Sequence, residues 1–236
     1  MSSKFEFLQQ QLDQYEALEH HQNPVLAQRL SEVQTWQKER MQNTHADFFT
    51  IPEHQLMTRY FMDRLYGASD FKVLAFQIKR LIKNAKVVEK VIPANALKTG
   101  DAGVQLARLS IQLDEDVARY LLEKYPATQP LDDEIMRQAY LALDQAEDRL
   151  HQMQLLTLLG EKLDLYVRSR MVRTAFKMSK KLAYHYKVDP IYEFIDQGFK
   201  AMEPLESAEK FVATFTKKEC EIIQAVHEGH PQPFTV

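Results

Sequence analysis

The sequence is short of the residues that build crosslinked or turn-rich folds. Its 236 residues include one cysteine, Cys220, so no intramolecular disulfide can form. Six glycines and nine prolines are too few for the many tight turns of a β-sandwich or β-barrel. No run approaches about 18 consecutive apolar residues, and residues 1–18 lack the basic and then apolar pattern of a signal peptide. We therefore expect a cytoplasmic protein with no membrane span.

The chain is rich instead in apolar residues at the three- and four-residue spacing of amphipathic helices. This spacing recurs along almost the whole chain, and no segment alternates in the manner of a β-strand. We predict an all-α fold, a single-domain bundle of about nine or ten helices over residues 1–236. Residues 1–22 are predicted to form a helix at the periphery of the bundle, and residues 230–236 an extended tail.

Proline, glycine and capping residues predict where helices begin and end. Asn23-Pro24 and Asp189-Pro190 each read as a cap followed by proline in the first helical turn. The glycine-containing segment 100–103 is predicted to join two shorter helices. Residues 131–186 contain no proline and only Gly160, which is too long a stretch for one ordinary helix. We predict a kink or turn in it near Ser169.

Basic residues are concentrated in two segments, although the net charge is only −3. Residues 72–90 hold six basic residues and one acid, and residues 168–187 hold seven basic residues and no acid. The rest of the chain carries 17 basic and 32 acidic residues. At about 100° per residue, basic side chains in each segment share a helix face. They are Lys72, Lys79, Lys83, Lys86 and Lys90 in the first segment, and Arg170, Arg173, Lys177 and Lys181 in the second.

Such faces predict a surface for an acidic protein or an anionic ligand. The alternative is that lysine simply fills a solvated helix face. Nucleic acid is disfavoured as a partner, because aromatic residues do not interleave with the first basic face and the remainder of the chain is acidic.

The helix that starts at Pro24 has an apolar stripe that becomes polar in its second half. Extending the stripe from Leu26 and Leu30 leads to Gln37, Arg40, Thr44 and Asp47 at the end. A buried charge must be paired, so partners for Arg40 and Asp47 are expected from another helix, where Arg59, Asp63, Arg64 or Asp70 could supply them. The stripe indicates either a closed network that fixes helix register or a ligand pocket within the bundle. The candidate pocket residues are Gln37, Arg40, Thr44, His45, Asp47, Tyr60, Asp63, Tyr66 and Asp70.

Residues 36–71 resemble the FFLEELY-motif proteins, a group of bacterial helical proteins of about this length. The resemblance is carried by Trp36-Gln37, Arg40, Thr44-His45, Asp47, the string YFMDRLYG at 60–67, and Asp70-Phe71. Phe61, Leu65 and Tyr66 match the seven-letter motif, whereas Arg64 replaces an acid. Ala75 stands where the family pattern has a further acid. The resemblance implies the helical fold and supplies no reaction.

Known catalytic motifs are missing from the sequence. It has no glycine-rich phosphate loop, no Gly-x-Ser-x-Gly and no Cys-x-x-Cys, and Cys220 lies between two glutamates that raise a thiol pKa. A di-iron bundle needs two acid-x-x-His elements, and only Asp148–His151 is found. We therefore predict a non-enzymatic binding module for an acidic partner or small ligand, with no cofactor required. The alternative is a metal- or haem-dependent bundle enzyme with a site near His45, Asp47 and Asp63.

Overall fold

The computed structural model describes residues 5–66, 68–83 and 94–235, without the side chains of residues 68–70, 94 and 95. Within these ranges the chain is helical and contains no β-strand, which confirms the predicted all-α single domain. The α-helices in these ranges are α1 (Glu6–Glu16), α2 (Pro24–Thr44), α3 (Ala46–Phe49), α4 (Gln55–Tyr60), α5 (Ala68–Lys83), α6 (Ala94–Lys124), α7 (Asp133–Leu143), α8 (Ala146–Arg168), α9 (Arg170–His185), α10 (Asp189–Met202) and α11 (Ala208–His227).

Several helix boundaries follow local capping chemistry as predicted. The Asn23 side chain accepts the backbone N–H of Leu26 at 3.2 Å, and Pro24 occupies the first turn of α2. Ser169 separates α8 from α9, and its hydroxyl accepts the backbone N–H of Val172 at 3.3 Å. The predicted turn near Ser169 is therefore confirmed, and it is a helix start with its own cap.

The predicted break at residues 100–103 is wrong, because α6 runs through it without interruption from Ala94 to Lys124. Each glycine inside a helix costs about 1 kcal/mol relative to alanine. Burial of Ala102 and Val104 on the same helix outweighs that local preference. A Cβ atom added at Gly100 or Gly103 would meet no atom within 4 Å, so these two glycines face open space.

Two further departures change which residues face inward. Residues 131–186 form three helices instead of two, because Asp144 ends α7 with a left-handed φ of 49°. After α4, residues Phe61–Leu65 form a π-helical turn, closed by the backbone N–H of Tyr66 bonding to the carbonyl of Phe61 at 2.9 Å. Such turns have more residues than an α-helical turn, so they shift the side-chain register of the chain that follows.

Both chain ends contribute to the core. Phe5, just before α1, and Leu8, Leu12 and Tyr15 on one face of α1 are buried in the main apolar cluster, while the opposite face of α1 is exposed. The segment after α11, predicted to be extended, contains a short 3-10 helix at Pro233–Thr235. It is held there because Phe234 is buried, with its ring 5.1 Å from the ring of Trp36.

Helices α8 and α11 pack together along much of their length, and Gly160 of α8 lies directly against Val212 of α11. A Cβ atom built on Gly160 would lie 2.7 Å from Cβ of Val212, closer than real Cβ contacts allow. Glycine is required at this position because a larger side chain would collide with α11. The backbone conformation of Gly160 is ordinary α-helix and does not itself require glycine.

We predict that Gly160→Ala destabilises the protein, although alanine favours a helix by about 1 kcal/mol. The new methyl group must push α11 away, and overpacking of this kind costs about 1–3 kcal/mol. Urea unfolding should show this loss, and Val212→Ala in the same chain should recover part of it. Gly103→Ala is the matched control and should be at least as stable as the wild type, because its methyl group meets open space. Equal stability of Gly160→Ala and wild type would contradict this account of the helix crossing.

Candidate functional site

The polar stripe of α2 lies inside the protein and is paired with α11. The buried Arg40 guanidinium donates to both carboxylate oxygens of Glu219, at 2.5 Å to Oε1 and 2.8 Å to Oε2. It also donates to the side-chain oxygen of Gln37 at 3.0 Å. The amide of Gln37 in turn donates to the hydroxyl of Tyr140 on α7. The expectation that Arg40 would be paired is confirmed, but its partner is Glu219 and none of the four residues proposed from the sequence.

His45 and Thr44 extend this network at the point where α2 ends. His45 joins α2 to α3, and its ring turns inward, so that Nε2 lies 2.7 Å from Oε1 of Glu219. The ring also stacks on Phe215, with centroids 4.5 Å apart. The Thr44 hydroxyl donates to the carbonyl of Phe234 at 2.9 Å, which ties the C-terminal 3-10 helix to α2.

The Glu219 carboxylate is bonded by Arg40 and His45, and these contacts keep it ionised. Burial alone would raise the pKa of this carboxyl. The Arg40 guanidinium and the His45 ring more than offset that effect and lower the pKa of Glu219 to about 2. The same pairing raises the pKa of Arg40 against the opposing effect of its burial.

A second part of the network joins α6, α7 and α8. The hydroxyl of Tyr66 donates to Oδ2 of the buried Asp114 at 2.8 Å. Burial raises the pKa of Asp114 to about 6, although the nearby Arg149 charge and the Tyr66 bond lower it. The Arg149 guanidinium lies over the ring of Tyr140, 4.3 Å from its centroid. Tyr140 therefore links both parts, through its hydroxyl to Gln37 and through its ring to Arg149.

The network borders a cavity of about 1030 Å³ that is partly open to the surface. Side chains from α4, α5, α6, α8, α9, α10 and α11 line this cavity, and most of them are apolar. Representative lining residues are Leu106, Met153, Leu156, Leu163 and Phe199. The network residues that reach the lining are Gln34, Gln37, Arg40, Tyr66, Asp114, Tyr140, Arg149 and Glu219.

The structure brings only part of the predicted pocket together. Gln37, Arg40, Tyr60 and Tyr66 line the cavity, and Tyr60 donates its hydroxyl to the carbonyl of Phe194 at 2.9 Å. Thr44 and His45 belong to the hydrogen-bond network but do not line the cavity. The side chain of Asp70 lies outside the described residues.

Asp47 and Asp63 are exposed, which corrects their expected place on the inner face. Asp47 was placed by extending the stripe of α2, but α2 ends at Thr44 and the chain starts a new helix after His45. Asp63 lies in the π-helical turn Phe61–Leu65, whose register differs from that of the α-helix assumed.

The residues that sequence reasoning missed lie on other helices. They are Glu219 on α11, Asp114 on α6, Tyr140 on α7 and Arg149 on α8. A usable signal existed for Glu219, because it follows Phe211 and Phe215 at four-residue spacing and so sits on an apolar stripe. This is the signal that identified Arg40 on α2.

The two basic faces differ in how far acids neutralise them. Lys79 is bound to Asp13 and Glu16 of α1, so it is not free for a partner, whereas Lys72 and Lys83 are exposed. Lys86 and Lys90 lie outside the described residues. On α9, Arg173 pairs with Glu203 at 2.6 Å. Three other basic side chains of α9 are exposed and have no ion pair within the described part of the chain: Arg170, Lys177 and Lys181.

The metal or haem site suggested near His45, Asp47 and Asp63 is not assembled. His45 is buried with Nε2 bonded to Glu219, while both aspartates are exposed. In the ranges that the structure describes, no group of three or more His, Cys, Asp or Glu side chains is placed to hold a metal ion. Over the same ranges, no helix is both long and apolar enough to span a membrane.

Fold and site together define a class of single-domain, all-helical proteins with a cavity and a charged network beside it. The chain belongs to the family described as Domain of unknown function (DUF8198), whose model matches residues 16–233. No curated protein and no solved structure matches the chain. The resemblance to the FFLEELY-motif proteins stays a prediction, because the family match does not test the motif.

We predict that Glu219→Gln destabilises the protein by about 3–5 kcal/mol at neutral pH, because it leaves the buried Arg40 charge uncompensated. The folded-state pKa of Glu219, about 2, lies below its ordinary value of 4.5. Its stabilising effect is therefore fully present above about pH 4.5 and is lost as the pH falls towards 2. Urea unfolding across this range should show a smaller acid-induced loss in Glu219→Gln than in wild type.

The matched control is Glu221→Gln, which neutralises an exposed glutamate on the same helix. It should retain both the neutral-pH stability and the acid sensitivity of the wild type. If Glu219→Gln were as stable as this control, the Arg40–Glu219 pair would not be a structural requirement.

Proposed function

We propose that this chain is a non-catalytic binding protein that holds a mainly apolar small molecule in this cavity. The observation that supports this most is the size and lining of the cavity, about 1030 Å³ with mostly apolar walls. Pockets that bind small molecules usually measure about 300–1,000 Å³ and are lined mainly by apolar side chains with a few placed polar groups. The cavity fits that description in both respects.

An empty cavity of this size is not a plausible packing defect. Protein interiors are close-packed, with few voids larger than a water molecule. Mostly apolar walls favour an apolar occupant over water.

Helix α9 is the part of the wall best suited to admit a ligand. None of its residues is buried, and Val172, Phe176 and Leu182 on one of its faces line the cavity. Its main aromatic contact is the ring of Phe176 stacked on Tyr192 of α10, 4.4 Å apart. A helix with few buried contacts opens locally at a lower free-energy cost than a core helix.

We predict that straight-chain alcohols bind the purified protein, with an affinity that rises with chain length from hexanol to dodecanol. Each added methylene group removed from water contributes ~0.8 kcal/mol, so Kd should fall roughly fourfold per carbon until the cavity is filled. Isothermal titration calorimetry measures this directly. Affinity that does not change with chain length would contradict the proposal.

The matched pair Gly103→Leu and Lys98→Leu locates the binding. Gly103 lines the cavity, and a Cβ atom added there meets open space, so we expect a leucine side chain to occupy part of the cavity. Lys98→Leu places the same side chain on an exposed position of α6 that is not part of the lining. Gly103→Leu should weaken dodecanol binding at least about tenfold, or 1.4 kcal/mol, and Lys98→Leu should not change it. Equal Kd values in the two variants would show that the alcohols bind elsewhere.

A second candidate function is binding of an acidic protein through α9. It is favoured by the exposed Arg170, Lys177 and Lys181, which have no acidic partner in the described ranges. A cationic surface of this kind attracts anionic partners in a salt-dependent manner.

If α9 is such a surface, the double variant Lys177→Glu/Lys181→Glu should lose salt-sensitive binding to poly-glutamate, measured by fluorescence anisotropy at low and high salt. The double variant Lys98→Glu/Lys217→Glu changes the net charge equally at two exposed positions outside α9. It should retain most of the binding. Equal loss in both variants would indicate a response to net charge alone.

A further inference from the structure

Arg149 is a buried cation whose Nη2 atom lacks a hydrogen-bond partner in the described part of the chain. It lies on α8 in the cavity lining and is only 8% exposed. Its Nη2 atom is buried and has no hydrogen-bond partner among the residues that the structure describes. Its one strong contact is the ring of Tyr140, 4.3 Å from the guanidinium carbon.

Stacking on Tyr140 does not satisfy this side chain. The five N–H donors of a guanidinium point outward in its own plane, so a ring that covers one face leaves the donors unused. A buried charge with unused donors is costly unless an anion or acceptor meets it. The neighbouring Arg40 shows the paired case, since its two terminal nitrogens donate to both oxygens of Glu219, although its Nε has no partner among the described residues.

The carboxylates nearest to Arg149 do not accept hydrogen bonds from its guanidinium. Glu219 is bound by Arg40 and His45. Asp114 attracts Arg149 electrostatically, but it accepts its hydrogen bond from Tyr66 and forms no ion pair with Arg149. The polar groups of Ser110 and Gln152, which also line the cavity, bond to each other at 2.7 Å.

Resting on the function proposed above, we infer that the cavity ligand carries an anionic oxygen head group that binds the in-plane N–H donors of Arg149. A carboxylate and a phosphate monoester share this chemistry, because each presents two oxygens that match the planar guanidinium fork. The apolar remainder of the ligand then lies along the apolar walls. The ligand class is therefore a long-chain carboxylate or alkyl phosphate.

Arg149 and Asp114 carry opposite charges, so removing each charge should change the affinity for an anion in opposite directions. Arg149 favours an anion at this point, whereas the Asp114 carboxylate opposes one. Arg149→Gln should therefore weaken anion binding, and Asp114→Asn should strengthen it. An asparagine side chain still offers an oxygen to the Tyr66 hydroxyl, so the Tyr66 contact is kept in the second variant.

The experiment compares dodecanoate, dodecyl phosphate and dodecanol by calorimetry on the full chain. In wild type, at least one of the two anions should bind more tightly than dodecanol, and their relative Kd values identify which head group is preferred. Arg149→Gln should weaken the preferred anion at least tenfold and leave dodecanol within twofold. Asp114→Asn should tighten the preferred anion and also leave dodecanol unchanged. Circular dichroism and urea unfolding check that both variants are folded.

The proposed function and the head-group inference would be contradicted by different results. If wild type does not bind dodecanol or either anion, the cavity is not a binding site for such chains and the proposed function is overturned. If dodecanol binds but neither anion binds more tightly, or if Arg149→Gln weakens all three probes equally, the head-group inference is overturned while cavity binding stands. Should Arg149→Gln fail to fold, the response of Asp114→Asn decides, and unchanged anion affinity there overturns the inference.

Discussion

The ion pair between Arg40 and Glu219 joins α2 to α11, and much of the described structure depends on it. Removing two charges from water costs several kcal/mol per ion, so a buried pair persists only with near-ideal geometry and further hydrogen bonds. Both conditions are met here, because Arg40 bonds to both carboxylate oxygens and His45 and Gln37 add further contacts. Helix α11 also fits closely against α8 at Gly160, so the pair fixes the register of three helices.

The sequence predicted local features well and long-range partners poorly. The start of α2 at Pro24 and the start of α9 after Ser169 depend on hydrogen bonds within a few residues, which the local sequence carries. The polar stripe on α2 likewise predicted that Gln37 and Arg40 lie inside, because helical periodicity alone determines which residues share a face. The partner of Arg40 lies 179 residues away, and periodicity within one helix contains no information about which helices meet.

The errors have specific physical causes. Extending one helical period past His45 misplaced Asp47, and assuming an α-helix through Phe61–Leu65 misplaced Asp63. The break predicted at Gly100–Gly103 applied a local preference that packing of the rest of α6 overrides. Both glycines lie in the cavity lining, where they leave space that larger side chains would occupy. Their presence is therefore better explained by the cavity than by a helix end.

A closed structural network and an open ligand pocket were alternative interpretations of the α2 stripe, and the two arginines beside the cavity differ in the same respect. Around Glu219 the carboxylate is fully engaged, so that part acts as scaffold. Around Arg149, Nη2 has no hydrogen-bond partner among the described residues, although the side chain is similarly buried. Tyr140 belongs to both parts, with its hydroxyl bonded to Gln37 and its ring against Arg149. The scaffold thus holds Arg149 in place, because the ring on which its guanidinium stacks is itself positioned by the network around Arg40.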